Sequence, residues 1–346
     1  MNNKRNFPAL TALSFAAALT LTACGGGGGG SSSGSGSNNS ASNSGSPSSG
    51  TTGSAQVTGT VSTPQYASTS AQSAAFTLLN QYRQQCGFAK FQENTVLDTA
   101  AQNHAKWEGL NSTVSDSEQS GQAGFTEGNY QARATYAGFP SSVFVTGASG
   151  AGQTVFQTDF VAATAGQQFV YGLLGGVYHA VVAAYPANIV GFGEYETQAT
   201  SGSYTYTNSW QSMSFASTQS QTIGNAPLTF PCEGVTGLPY REVAEIPPAP
   251  NASASGTGTP VVVMGNATDT IVLQSATMTD TSGNTITLQL LNSAADPNNL
   301  IAAHEAIAYP TSPLSPNTKY TVSLTGTYNG AAFSRTFSFT TGNVIG

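Results

Sequence analysis

The sequence predicts an α+β fold, and three observations carry that prediction. Apolar residues recur at three- and four-residue spacing through the first half of the folded region. Two segments rich in β-branched and aromatic residues follow, near residues 189–195 and 204–215. The last 85 residues or so then alternate short strand-like runs with polar turns.

The elements follow in chain order. Ala75, Leu78, Leu79, Tyr82 and Cys86 form the stripe of a first amphipathic helix, which Gly87 ends. A second helix is expected from Asn94 or Thr95, with Leu97, Ala100, Ala101, His104 and Ala105 on one face. Shorter helices are expected from Tyr130 to Ala137, from about Thr158 to Leu174, and around Val177 to Ala184. Gly147 to Gly152 reads as a surface loop, because no Lys-Ser/Thr follows to make it a phosphate cradle. The aromatic strand Tyr204 to Trp210 reads as packing rather than as a sugar platform. Strands at Val261–Val263, Thr270–Leu273, Thr285–Leu288, Tyr320–Leu324 and Phe333–Thr340 predict a small β-sandwich.

The front of the chain carries an address. Lys4 and Arg5 precede an apolar stretch from Ala9 to Leu21, and Leu21-Thr22-Ala23-Cys24 matches the lipobox of bacterial lipoproteins. The apolar run is too short to span a bilayer ~30 Å thick. Residues 1–24 are therefore expected to be a lipoprotein signal peptide, with Cys24 acylated and the membrane a partner through that anchor. Gly25 in place of Asp resembles the outer-membrane sorting pattern, periplasmic or surface-exposed. Residues 25–69 are expected to be a disordered linker; their first part is almost wholly Gly, Ser, Asn and Thr. Residues 70–245 and 260–346 then read as two domains, joined by a Pro- and Ser/Gly-rich linker at 246–259.

Charged residues make up 7% of the chain, 9 basic against 16 acidic, for a net charge of −7. That balance excludes nucleic acid as a partner, since such binding needs a positive patch. With Cys24 assigned to lipid, Cys86 and Cys232 remain. In an oxidising compartment they read as a disulfide, the competing reading being two unrelated buried thiols.

Several segments in order resemble the CAP superfamily, the fold of cysteine-rich secretory, antigen 5 and pathogenesis-related proteins (the SCP domain). They are Leu78-Leu79-Asn80-Gln81-Tyr82-Arg83, Leu97-Asp98 with Ala100 to Ala105, Gly124-Phe125-Thr126, Arg133-Ala134 with Ala137-Gly138-Phe139, Leu173-Leu174 with Tyr178-His179, and Val190-Gly191-Phe192-Gly193. The resemblance covers residues 71–235 and implies a three-layer α-β-α sandwich, in a bacterial form where Cys86 pairs with Cys232. The closing strands resemble bacterial Ig-like modules.

The family's cleft holds two His and one or two Glu, and the imidazoles can bind zinc. Carried over position by position, the second His is His179, after Tyr178. Asp116 stands where the first His is expected, with Glu118 nearby. No acid lies between Arg133 and Asp159, so Phe144 or a neighbour replaces the expected Glu. A general acid–base pair contributes ~10²–10⁴-fold to rate, so a cleft that has lost it is expected to be non-catalytic, without cofactor or metal. His104 is expected in the core and His304 as surface decoration near Glu305. No Gly-x-Ser-x-Gly elbow occurs in the folded part. The leading expectation is a binding module for a lipid, glycan, peptide or protein, with Tyr178, His179, Asp116 and Glu118 as cleft candidates. The alternatives are a metal-dependent enzyme using His179 with Asp116 or Glu118, and a structural adhesin or cell-wall-associated protein.

Overall fold

A computed structural model describes residues 57–346 apart from residue 220. The signal segment, Cys24 and the tether up to residue 56 lie outside the described residues.

Among the described residues, four α-helices and three sheets make a mixed α+β architecture. Helix α1 (Ala71–Gln85) starts where the Ser70 hydroxyl accepts from Ser73 N, and the chain leaves it through Gly87 at φ 82°. Helix α2 (Thr95–Asn111) starts at Asn94, whose side chain accepts from both Val96 N and Leu97 N. Between them β1 (Gln92–Glu93) pairs parallel with β3 (Ile189–Ser201). Helix α3 (Tyr130–Tyr136) and helix α4 (Ala162–Gly175) follow. Helix α4 begins four residues later than expected, after a 3₁₀ turn at Gln157–Asp159. The expected short helix at 177–184 is a 3₁₀ turn, His179–Ala183.

The first sheet has the order β1-β3-β4-β2, where β4 is Tyr204–Ala216 and β2 is Val145–Phe156. Strand β2 overturns the expected surface loop at 147–152, because those residues lie in its middle: Gly147 to Ala151 pair antiparallel with β4, and Gly152 falls at a bulge. Their Gly, Ala and Ser carry no strand propensity, but the strand lies against Tyr130 and Phe169, where small residues fit.

Helices cover both faces of this sheet. On one face, a Cβ on Gly191 would lie 2.1 Å from Asp98 N, and one on Gly193 would lie 2.2 Å from Ala101 C. Only glycine at these two positions lets the α2 backbone rest directly on β3. Phe192 points to the opposite face and meets Phe76 of α1 and Phe169 of α4, both edge-on at 6.5 Å.

The C-terminal strands form two further sheets. One has β10 (Gln289–Asn292), β11 (Glu305–Tyr309), β7 (Val261–Met264) and β5 (Leu228–Phe230) in that order. The other has β6 (Thr236–Leu238), β13 (Ala331–Thr341), β12 (Lys319–Tyr328), β8 (Ile271–Asp280) and β9 (Thr285–Thr287). Pairing cuts across the expected boundary at 245/246. Strands β5 and β6 precede it, yet they pair with β7 and β13 respectively.

The expected linker at 246–259 is packed at its margins. Thr257 exchanges backbone hydrogen bonds with Glu242, and Ala249 and Thr259 are buried. One apolar core runs from Ala75 of α1 to Phe339 of β13. The end of the expected N-terminal linker is also structured: Val61 N donates to Glu93 O, and the Tyr66 ring packs against Phe76 and Phe192. Cys86, at the end of α1, is disulfide-bonded to Cys232, between β5 and β6. Among the described residues, no helix is long and apolar enough to cross a membrane.

Candidate functional site

A cleft of about 550 Å³ opens between the loop after α2 and α4. Its walls come from Val114–Ser117, from Ser149–Ala151 of β2, from Phe169 and Leu173 of α4, and from Glu242 and Ala244–Ile246. His179 and Asp116 both line it.

His179 is positioned by an acid that the sequence reading missed. The Glu245 carboxylate accepts from His179 Nδ1 at 3.0 Å. It also accepts from three backbone N–H groups at the start of the 3₁₀ turn: Val177 N at 2.8 Å, Tyr178 N at 2.7 Å and His179 N at 3.0 Å. These are the donors that a helical turn leaves unpaired at its N-terminus. Glu245 thus caps the turn from far along the chain and aims the imidazole in one act. Its neighbour Glu242 is buried, with Oε1 taking Val243 N and Ala244 N while Oε2 has no partner. The expectation of a cleft without the family's glutamate is thus corrected: the cleft is lined by two, Glu242 and Glu245. The acids come from the segment after β6, where position-by-position transfer from the family did not look, and no local motif marks them.

Charge follows from this layout. Burial pulls the His179 imidazole down, but the Glu245 hydrogen bond and charge, aided by Asp116 and Glu242, outweigh it and hold the imidazole above its ordinary value. Burial pushes Glu242 up, reinforced by Glu245 and opposed by its backbone donors. For His179 the contribution to stability is complete below about 6.5 and is lost as pH rises through the higher native value. Glu245→Gln is expected to bring that native value down toward or below 6.5. A proton NMR titration of the His179 ring checks this, and an unmoved midpoint contradicts the pairing.

The other candidates divide. Asp116 is held at the cleft wall by the Tyr130 hydroxyl, which donates to its Oδ1 at 2.6 Å, and by Arg133 Nη2 on its carbonyl at 2.9 Å. Ser149 in the same wall bonds Tyr130 and Ser212, not His179. Glu118 is not a cleft residue. Its side chain is fully buried behind the wall, on His104 Nδ1 at 3.0 Å and Thr126 N at 2.6 Å, with Arg133 Nε at 3.8 Å. Tyr178 also leaves the cleft: its hydroxyl donates to Asp296 Oδ1 at 2.7 Å and accepts from Asn298 Nδ2 at 2.8 Å, within the C-terminal β-region. Phe144 is 66% exposed and replaces nothing in the cleft.

His104 lies in the core as expected, stacked on Trp107. Its Nε2 donates to Ser115 O at 2.7 Å and its Nδ1 faces Glu118. Burial outweighs the Glu118 and Ser115 contacts and holds this imidazole below its ordinary value. His304 is not surface decoration; it is largely buried, with Nε2 3.5 Å from Glu305 Oε1.

The residues present do not fit the two-imidazole metal site that the resemblance implies. His179 supplies one nitrogen, its Nδ1 is taken, and both Glu245 oxygens are occupied by donors. Among the described residues, no group of three or more His, Cys, Asp and Glu side chains is placed to hold an ion. In comparison with known proteins, the chain matches no protein-family model, and no curated protein is significantly similar to it.

Proposed function

We propose that this chain is a lipid-anchored protein of a bacterial envelope, held by Cys24 and most consistent with the outer membrane. Its CAP-like three-layer domain, backed by an Ig-like β-sandwich, acts as a non-catalytic binding module. The supporting observation is the cleft itself. It is of ligand size, and it is lined by apolar Phe169, Leu173 and Ile246 together with one imidazole and three carboxylates. Its best-oriented acid is consumed by backbone donors, which suits a fixed recognition surface better than a proton shuttle. Such a cleft favours a small amphipathic ligand whose head donates hydrogen bonds.

The test has two arms. Dodecylamine and dodecanoate are titrated into the soluble chain lacking residues 1–24; the amine is expected to bind, and Asp116→Asn to weaken it about tenfold, the loss of one charge-assisted hydrogen bond. Ester hydrolysis that disappears in His179→Ala would refute the reading. In cells, Cys24→Ser is expected to release the protein from the membrane fraction; a wild-type protein already free of that fraction would remove the anchor.

A second reading rests on one observation: the Nδ1–carboxylate contact of His179 is the orientation a catalytic base uses. Against it, Ser149, the hydroxyl of β2 in this cleft, is engaged elsewhere.

A further inference from the structure

The first sheet outlasts the helix that covers it. Gly109, near the end of α2, lies over Tyr195 and Trp210, where an added Cβ would fall 2.5 Å and 3.0 Å from their rings. Trp210 donates to Thr197 Oγ1 at 2.8 Å and is packed, as the sequence suggested. Helix α2 ends at Asn111, but β3 and β4 continue to a two-residue turn at Gly202-Ser203. Along this overhang, Phe156, Tyr204 and Tyr206 fall on the α2 side of the sheet, with Phe156 directly opposite Tyr206.

These three rings form one surface. Phe156 stacks on Tyr206 at 5.0 Å and 26°, and meets Tyr204 at 5.4 Å and 50°. Phe156 is 40% exposed and Tyr204 is 59% exposed. The expectation that the whole aromatic strand is packing therefore fails at its outer end. Beside the rings, Thr154 Oγ1 donates to Asn208 Oδ1 at 2.9 Å, and Thr197, Ala199 and Ser201 complete the face. No residue of this face is charged. The tight turn and paired strands hold the rings in place without a ligand.

We infer that this overhang is a binding platform for an uncharged polysaccharide. A sugar ring offers an apolar C–H face to an aromatic ring and hydroxyls to neutral amide and hydroxyl neighbours, which is what the strip supplies. Anionic polymers gain nothing from a face without cations on a chain of net charge −7. A second copy of the chain is a poor occupant, because the exposed rings offer only about 250 Å², against the ~800 Å² per partner of a stable interface. This platform is separate from the cleft and does not depend on its function.

The experiment is affinity electrophoresis of the soluble chain in gels containing hydroxyethyl cellulose, galactomannan, amylopectin or the anionic polygalacturonate. Retardation by at least one neutral polymer is expected, unchanged in 0.5 M salt, with none by polygalacturonate. Tyr204→Ala and Phe156→Ala are each expected to weaken retardation up to about tenfold, the scale of one aromatic contact. Both positions are exposed, so thermal unfolding should shift little, and Tyr204→Phe should retain binding. No retardation by any neutral polymer overturns the proposal, as does retardation that both alanine variants keep. Concentration-dependent dimerisation in sedimentation, lost in the same variants, assigns the face to a second copy and also overturns it.

Discussion

Replacing Cys86 and Cys232 together by serine is expected to remove about 4–5 kcal/mol of stability, the largest single loss anticipated for this chain. The bridge spans a sequence separation of 146. In the chain-entropy account, closing a loop of this order restricts the unfolded ensemble by ~5 kcal/mol. It ties the end of α1 to the segment between β5 and β6, so it joins the helix-covered sheet to the C-terminal sheets. Urea unfolding of the single and double variants checks the prediction. If the two sulfurs form one bond, either single substitution costs nearly as much as both together. Additive effects would mean two independent buried thiols. Cys86 is only 5% exposed, so mild reductant should act slowly on the folded chain and rapidly once it opens.

The second large effect lies behind the cleft, where two buried glutamates have opposite expected outcomes. Glu118→Ala is expected to cost about 3–5 kcal/mol. It strands the guanidinium of Arg133, whose Nε and Nη1 already lack hydrogen-bond partners, and it strips His104 and Thr126 N of their acceptor. Burial pushes the Glu118 carboxyl up, but His104, Thr126 N and Arg133 outweigh it and hold the group below its usual range.

Glu108 has weaker compensation, from the Ser115 N–H and the Arg133 charge, and burial wins. Burial, opposed by the N–H of Ser115 and reinforced by Asp116, pushes its carboxyl up to about 9, and Oε2 has no partner. A folded value raised above the ordinary 4.5 gives a contribution complete below pH 4.5 and lost as pH rises through about 9. At pH 7 the native chain holds a proton that the unfolded chain has released, at a cost of order 3 kcal/mol. Glu108→Gln is therefore expected to flatten the stability profile between pH 4.5 and 9 and to raise stability at pH 7. Urea midpoints at pH 5, 7 and 8.5 for wild type and both variants decide this. Parallel profiles for wild type and Glu108→Gln would mean that Glu108 is ionised in the folded chain.

What the sequence determined by itself was local. The stripe through Ala75, Leu79 and Tyr82, the Asn94 cap and Gly87 specify α1 and α2, because periodicity, caps and left-handed glycines act over a few residues. The aromatic and β-branched runs specify β3, β4 and most C-terminal strands in the same way. The general position of the cleft was legible too, through His179 and Asp116. Tertiary structure decided the rest. Strand β2 has small residues because of what packs on it, so no propensity announces it. Glu245 reaches His179 across 66 residues, and Glu118 and Tyr178, one a plausible acid and one a plausible cleft ring, turn instead toward buried partners. A side chain's chemistry is written at its own position. The partner that satisfies it is chosen by which distant backbone donors and acceptors the packed core leaves open, and a local pattern carries no record of those.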